Sequence, residues 1–217
     1  MPRSMLAVVR EVGDQAMHDR LAEILAPVAA QLLARLAPLE GERLLDLNTY
    51  EGNPEYLPFD DGEFDVVVST FAFIWAPDHA NVASELARVM PSGSRLGFTA
   101  WKPNPKLGEL YRRFSEEPLE GRESTEWGRE DHVEDMLGED FELDFEDGTL
   151  WLDVASGEDL WQLFSLSSPP VVSMLSRLEG ERTEDFHRAF VQHFESYREG
   201  ARVRAPRRYL MTLGRRR

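Results

Sequence analysis

Cysteine is absent from this chain of 217 residues. A chain without cysteine cannot form a disulfide scaffold, use a thiol nucleophile or hold a cysteine-ligated metal. Long hydrophobic runs are also absent, because no stretch approaches the roughly 18 apolar residues of a membrane span. The N-terminal apolar patch is too short for a signal peptide and lacks a cleavage-like site. These absences predict a cytoplasmic protein without a membrane partner.

Acidic residues outnumber basic ones, and the formal net charge is −16. Such a charge opposes binding to nucleic-acid phosphates, so no nucleic-acid partner is expected. Hydrophobic residues make up 42% of the chain and aromatic residues 10%. This is enough apolar material for a packed core, which excludes wholesale disorder.

The C-terminal segment 202–217 departs from this acidic character, since it holds seven arginines and no acidic residue. The rest of the chain then carries 17 basic and 40 acidic residues. A basic end on an acidic body has two interpretations: it binds an anion, or it pairs with the chain's own acidic strand. The second is the simpler interpretation, because it requires no partner.

Hydrophobic periodicity predicts alternating helices and strands in the first half of the chain. Segment 15–36 has apolar residues at helical spacing, and Pro27 is expected to kink or split that helix. A second helix is predicted over 78–90, with Asp78 as its N-cap. Short apolar runs predict strands over 43–47, 64–69 and 94–101.

The second half of the chain has a different pattern. Apolar and polar residues alternate over 141–154 around Asp147-Gly148, which predicts a β-hairpin. A last strand is predicted over 208–213, and segment 103–127 resembles a linker or lid. Helices are predicted over 106–115, 128–137, 157–167, 169–178 and 181–199.

Residues 56–101 resemble the second half of a class I S-adenosylmethionine-dependent methyltransferase. The matching elements occur in the family's order and spacing: Leu57-Pro58-Phe59, Asp60-Asp61-Gly62, Phe64-Asp65-Val66-Val67, Glu85-Leu86-x-Arg88-Val89, Pro91-x-Gly93 and a strand ending in Trp101. The tail resembles a bacterial small-molecule branch of that family, through Trp127-Gly128, the acidic segment 141–154 and Tyr209-Leu210.

The chain departs from the family after the first strand. Leu44–Leu47 matches that strand, but Asn48-Thr49-Tyr50 follows it in place of a glycine-rich cofactor loop. Only 16 residues separate Leu47 from Phe64, whereas one strand–helix–strand unit needs about 30. The strand and helix units that follow the loop are therefore missing. The acid that would hold the cofactor's ribose cannot be assigned.

The resemblance implies a truncated Rossmann-like α/β fold. We expect a mostly parallel sheet with a C-terminal antiparallel hairpin or strand and a helical elaboration. Residues 1–217 would form one methyltransferase-like domain. Its parts are an N-terminal helical segment 1–42, a truncated core 43–102 and an elaboration 103–217 that completes the sheet.

The truncation leaves the first strand at an edge of the sheet. In the family's sheet order the first and fourth strands are neighbours, so 44–47 and 64–69 are expected to pair in parallel. The outer flank of the first strand then lacks its usual cover. Helix 15–36 or a second copy of the chain could cover it, and we expect a symmetric homodimer.

Two functions remain open at this stage. In the first, the protein has lost ordinary S-adenosylmethionine binding, has no cofactor, and acts as an oligomeric scaffold or binds a small apolar ligand. In the second, it is an active small-molecule methyltransferase with a rebuilt site. The resemblance then implies Asp46, Asn48, Thr49, Asn53 and Phe71 as the nearest cofactor contacts. The position of Asn53 is usually an aspartate in the family.

Histidines give no clear catalytic or metal site. His79 is the one candidate general base, although a helix N-cap at Asp78 beside an inactive His79 is the simpler interpretation. His132 lies among acidic residues and is expected on a solvated helix face. His187 and His193 are six residues apart and do not share a helix face, so no metal site is predicted.

Overall fold

The computed structural model describes residues 15–115 and 124–217, and their side chains from residue 20 onward. The expected lid at 103–127 therefore lies partly outside the described residues. The helices are α1 (Gln15–Leu36), α2 (His79–Val89), α3 (Pro105–Phe114), α4 (Glu130–Leu137), α5 (Gly157–Ser167), α6 (Pro169–Leu175) and α7 (Glu181–Glu195). The strands are β1 (Leu44–Asp46), β2 (Val66–Thr70), β3 (Arg95–Trp101), β4 (Phe141–Val154), β5 (Arg198–Glu199) and β6 (Arg202–Arg216).

The strands form one mixed sheet in the order β1-β2-β3-β6-β4, with β5 paired to β6. β1, β2 and β3 are parallel, and β6 runs antiparallel to β3. Leu44 pairs with Val66, so the expected parallel neighbours are confirmed. Among the described strands β1 is the last on its side of the sheet, which agrees with the edge position predicted from the short connection.

The chain divides into two compact units. The sheet unit contains Leu25–Pro103, Arg208–Arg217 and the described part of Gly121–Thr149. The helical unit contains Leu150–Arg207 and the described parts of Met1–Ile24 and Asn104–Glu120. No helix among the described residues is both long and apolar enough to cross a membrane.

The core of the sheet unit is built on β2, all of whose residues are buried. α2 packs with an apolar stripe at helical spacing, formed by Val82, Leu86 and Val89. Its start is fixed by Asp78, whose carboxylate accepts a hydrogen bond from the backbone N–H of Asn81 at 3.0 Å. The predicted N-cap is therefore confirmed.

α1 continues through Pro27 as one helix, so the predicted split is wrong. Its C-terminal half packs against the middle of the sheet. A Cβ added at Gly97 would lie 2.7 Å from the Leu36 Cδ1 atom, and Gln31 accepts a hydrogen bond from the Tyr209 hydroxyl at 3.2 Å. α1 therefore covers β3 and β6, which are two or more strands away from β1.

Segment 141–154 is a single strand, so the predicted hairpin is wrong. Inward-facing residues are odd-numbered at Phe141 and even-numbered from Leu150 onward. The alternation thus changes phase at Phe145 and Glu146, without reversing the chain. A Cβ at Gly148 would lie 2.1 Å from the ring of Tyr209 on the neighbouring strand. This glycine permits close packing of that ring and does not form a turn.

The helical unit is held together by aromatic side chains. Phe186, Phe190 and Phe194 recur every fourth residue on α7 and are fully buried. Trp161 of α5 meets the first two of these rings at centroid distances of 5.6 and 5.4 Å. A capping box between Ser156 and Asp159 begins α5.

Arg88 and Glu85 on α2 hold the loop that leads into β2. The Arg88 guanidinium donates to the carbonyls of Leu57 and Phe59 at 2.9 and 2.7 Å, and to Glu85 and Asp61. Glu85 also accepts the Leu57 N–H at 2.6 Å. The hydrogen bonds from Arg88 lower the pKa of Glu85. This network fixes the short connection between β1 and β2.

Replacing Arg88 should therefore destabilise the protein. We expect Arg88→Ala to lower the free energy of unfolding by about 2–3 kcal/mol, because two loop carbonyls and Glu85 lose their donor. The measurement is urea unfolding. Arg129→Ala is the matched control: it removes only an exposed ion pair with Asp131 and should cost less than about 1 kcal/mol. Equal losses in the two variants would contradict the role of Arg88.

The same network should make stability depend on pH. The folded-state pKa of Glu85 is lowered, so its contribution is present above the unfolded-state pKa and is lost as pH falls through the folded-state value. The stability difference between the parent and Arg88→Ala should therefore shrink below roughly pH 4, near the ordinary carboxyl pKa. A difference that stays constant from pH 7 to pH 3 would refute this linkage.

Candidate functional site

The expected site lies where the parallel strands β1, β2 and β3 end, at Asp46, Thr70 and Trp101. Ligands in open α/β sheets bind outside the carboxyl ends of such strands. Four of the predicted site residues follow or end these strands: Asp46, Asn48, Thr49 and Phe71.

Asn48 is clamped to the end of β2. Its Nδ2 donates to the Thr70 carbonyl oxygen at 2.7 Å, and its Oδ1 accepts the Thr70 N–H at 2.6 Å. The side chain thus continues the β1–β2 ladder after β1 itself has ended. Its amide is occupied by the backbone of the neighbouring strand.

Asp46 and Thr49 close the turn after β1. The Asp46 carboxylate accepts the Asn48 N–H at 2.9 Å. Its backbone carbonyl accepts the N–H groups of Thr49 and Tyr50 at 3.2 and 3.1 Å, and the Thr49 hydroxyl at 3.1 Å. These polar groups therefore stabilise the loop itself.

The Tyr50 ring packs over the next part of the loop, at Gly52. The sequence did not predict this contact. A Cβ at Gly52 would lie 2.1 Å from the Tyr50 ring, so only glycine permits this packing. The same ring meets Phe59 at a centroid distance of 5.6 Å. Burial raises the pKa of the Tyr50 phenol. The one sequence signal for this packing was Gly52, because a glycine often marks a place where another group approaches the backbone closely.

Asn53 is linked to the start of α2 and not to the end of β1 or β2. Its Oδ1 accepts the Glu55 N–H at 3.0 Å, and its Nδ2 donates to the Glu55 carboxylate at 3.1 Å. Glu55 in turn accepts the Asp78 N–H at 2.8 Å, at the start of α2. Asn53 is therefore tied to the beginning of a helix through Glu55.

Phe71 follows β2 with a left-handed backbone, at a φ of 57°. Its ring lies flat on the ring of Trp101, with centroids 3.6 Å apart and an interplanar angle of 4°. Tyr209 meets Phe71 edge-on at 5.8 Å. The Trp75 indole N–H donates to the Phe71 carbonyl at 3.0 Å and holds its backbone in place.

His79 is only 2% exposed, which argues against a role as a solvent-accessible base. Its Nδ1 lies 2.8 Å from Nε2 of His132, and the two rings flank Trp127 at 5.0 and 5.4 Å. His132 is 8% exposed, so its expected place on a solvated helix face is wrong. Nothing in the sequence linked these two residues, because 53 positions separate them.

The other histidines lie in the helical unit. His187 contacts Glu158 at 2.8 Å and stacks on Trp161 at 4.4 Å. Burial, with Arg207 and Lys106 nearby, lowers the pKa of His193. Within the part of the chain that the structure describes, no cluster of three metal-ligating side chains occurs.

The basic end pairs with the acidic strand β4. Arg202 contacts Asp153, Arg208 reaches Asp147 at 3.1 Å and Arg216 reaches Asp140 at 2.9 Å. Arg204 lies 4.7 Å from the ring centroid of Trp151. These contacts confirm the simpler of the two interpretations for these arginines.

Sequence comparison finds relatives among methyltransferases. A family model described as a methyltransferase domain matches residues 20–98. An uncharacterised protein of Mycobacterium tuberculosis is 35% identical over 115 residues, covering 50% of this chain and 41% of that one. A demethylmenaquinone methyltransferase of Thermus thermophilus is 31% identical over 125 residues, covering 54% and 57%. The alignments thus span about two fifths to three fifths of these relatives.

Structural comparison supports the same fold. A candidate methyltransferase of Bacillus halodurans superposes with a TM-score of 0.53 and 17% sequence identity. The superposition covers 86% of this chain and 97% of that one. At this identity the likeness concerns the fold alone. Together with the sequence relatives, it confirms the resemblance inferred from the motifs. The chain is therefore a methyltransferase-like protein, whose sequence and fold resemble those of the class I S-adenosylmethionine-dependent methyltransferases.

Proposed function

We propose that this protein keeps the methyltransferase scaffold but has lost ordinary S-adenosylmethionine binding, and that it acts as a ligand-binding or oligomeric scaffold. The observation that carries this proposal is the clamp between Asn48 and Thr70. Asn48, the second residue after β1, uses its side chain to extend the sheet. A glycine-rich loop at that place would instead bring backbone N–H groups to the cofactor.

Simple energetics supports the same conclusion. The cofactor carries a charged amino-acid end, and hydrogen bonds to charged groups contribute roughly 1.5–3 kcal/mol each. Loss of two or three such bonds would turn a micromolar affinity into a millimolar or weaker one. Asp46 and Thr49 do not replace these bonds, because their polar groups close the turn.

The alternative is an active small-molecule methyltransferase with a rebuilt cofactor site. Similarity to the Thermus thermophilus demethylmenaquinone methyltransferase favours this alternative. Titration of the protein with S-adenosylmethionine, described below, separates the two functions.

The outer edge of β1, which no other described strand pairs with, supports the oligomeric part of the proposal. The Arg43 carbonyl and the Leu47 N–H bond to β2. Backbone groups of alternate residues in a parallel strand point to opposite sides, so those of Leu44 point away from β2. The Leu44 side chain is 38% exposed. It shares the sheet face of Gly97, two strands away, where α1 packs. We infer that a second copy covers this edge, with the two Leu44 residues exchanging backbone hydrogen bonds about a two-fold axis.

Isothermal titration of the full chain tests the loss of the cofactor. We expect no measurable heat with S-adenosylmethionine or S-adenosylhomocysteine, because the glycine-rich loop is missing and the N–H groups of Asn48, Thr49 and Tyr50 are used within the turn after β1. Binding of either compound tighter than about 100 μM would contradict the proposal and support the active enzyme.

Asn48→Ala tests whether this side chain is structural. We expect a loss of about 2 kcal/mol in the free energy of unfolding, because the Thr70 N–H and carbonyl lose their partners. Asn53→Ala is the control: it removes only a local turn bond and its contact with Glu55, and should cost less than about 1 kcal/mol. Urea unfolding gives both values. If Asn48→Ala is as stable as the parent, the clamp is not structural.

Leu44→Glu tests the dimer. Light scattering at about 100 μM should give a dimer for the parent and a monomer for Leu44→Glu, since a buried carboxylate at the two-fold axis is costly. Trp151→Glu changes another exposed apolar residue and should leave the dimer intact. A monomeric parent would exclude the dimer.

A further inference from the structure

Phe71 is strained in two independent ways. Its φ of 57° lies in the left-handed region, which a bulky residue rarely adopts. Its ring overlaps that of Trp101 almost directly, with centroids 3.6 Å apart. Aromatic pairs prefer an offset or edge-on arrangement with centroids 4.5–7 Å apart. Neither the backbone nor the ring therefore adopts its preferred geometry.

The surroundings fix the backbone of Phe71 more firmly than its ring. The Trp75 indole N–H holds the Phe71 carbonyl at 3.0 Å, and the Asn48 clamp holds the preceding residue, Thr70. The ring packs against Trp101 and Tyr209 and, being apolar, has no hydrogen bond to fix it. Strain that the fold maintains at the carboxyl end of a parallel strand points to a binding role.

The space that the Phe71 ring fills is suited to a flat group. The Phe71 ring lies flat against one face of Trp101, so a planar group of the same thickness would fit in its place. Tyr209 meets the Phe71 ring edge-on. Two nearby polar side chains already have partners: Tyr209 donates to Gln31 at 3.2 Å, and Asn48 bonds Thr70. Stacking, rather than charge, would therefore dominate recognition.

We propose that Trp101 is the stacking platform of a binding site for a flat, uncharged aromatic ligand, and that the Phe71 ring occupies this platform until a ligand displaces it. This inference rests on the proposed ligand-binding function and names its ligand class. Displacement turns the Phe71 side chain away from Trp101, while the backbone keeps its bond to Trp75. Binding requires the loss of the Phe71–Trp101 stacking contact. Because that contact is strained, its loss costs less free energy than the loss of an unstrained pair.

The test compares two probes that share one carbon skeleton. 2-Naphthol is planar, whereas decahydro-2-naphthol has the same ring atoms and hydroxyl without a flat π-face. Isothermal titration of the full chain should show 2-naphthol binding at least about tenfold more tightly, because only the planar probe can stack. Equal affinity for the two probes, or no binding of 2-naphthol, would overturn the proposal.

Variants at Phe71 test the displacement. Phe71→Gly removes the competing ring and fits the left-handed backbone, so the affinity for 2-naphthol should rise about tenfold. Phe71→Asn also tolerates that backbone and should give the same rise. Trp101→Leu should abolish the preference for the planar probe. Circular dichroism checks that each variant is folded. Unchanged or weaker binding in both Phe71 variants would show that the ring does not block a platform.

The outcomes also separate this inference from the proposed function. Tight S-adenosylmethionine binding by the parent overturns the proposed loss of the cofactor, whatever the naphthol probes do. Failure of 2-naphthol to bind overturns the stacking platform, while the absence of S-adenosylmethionine binding would still support a scaffold.

Discussion

Direct parallel pairing of β1 with β2 is the interaction on which the rest of the structure depends. Leu44, Leu45 and Asp46 pair with Val66, Val67 and Val68 across a connection that contains no helix and no strand. Parallel neighbours usually need a crossover of a dozen or more residues, often a helix. Here residues 47–65 make the connection without a helix, and Arg88 and Glu85 bind it to α2.

That short connection determines the chemistry of the strand ends. A loop that must return at once to the sheet has little freedom to present its backbone to a ligand. Its polar side chains instead bond to each other and to β2, as Asn48 does with Thr70. Tyr50 packs onto Gly52 within the same loop. At the same edge of the sheet, Phe71 and Trp101 contribute apolar rings stacked on each other, on which the proposed binding site rests.

The position of β1 also affects the outer edge of the described sheet. α1 packs on Gly97 and reaches Tyr209, so it covers the middle strands and leaves Leu44 exposed. An uncovered terminal strand favours association with another chain. The edge position of β1 is therefore the basis of the dimer proposed above, in which a second copy would cover Leu44.

The sequence by itself determined the local elements and the order of the retained strands. Apolar runs, helical spacing and the Asp78 cap depend on neighbours within a few residues, and the motif order predicted that β1 and β2 would be adjacent. Contacts between distant positions were decided by the tertiary structure, since they depend on sheet register. His79 meets His132, Asn48 meets Thr70, and Phe71 lies flat on Trp101. Gly148 illustrates the difference: its sequence context predicts a turn, but the ring of Tyr209 on the next strand requires a glycine there.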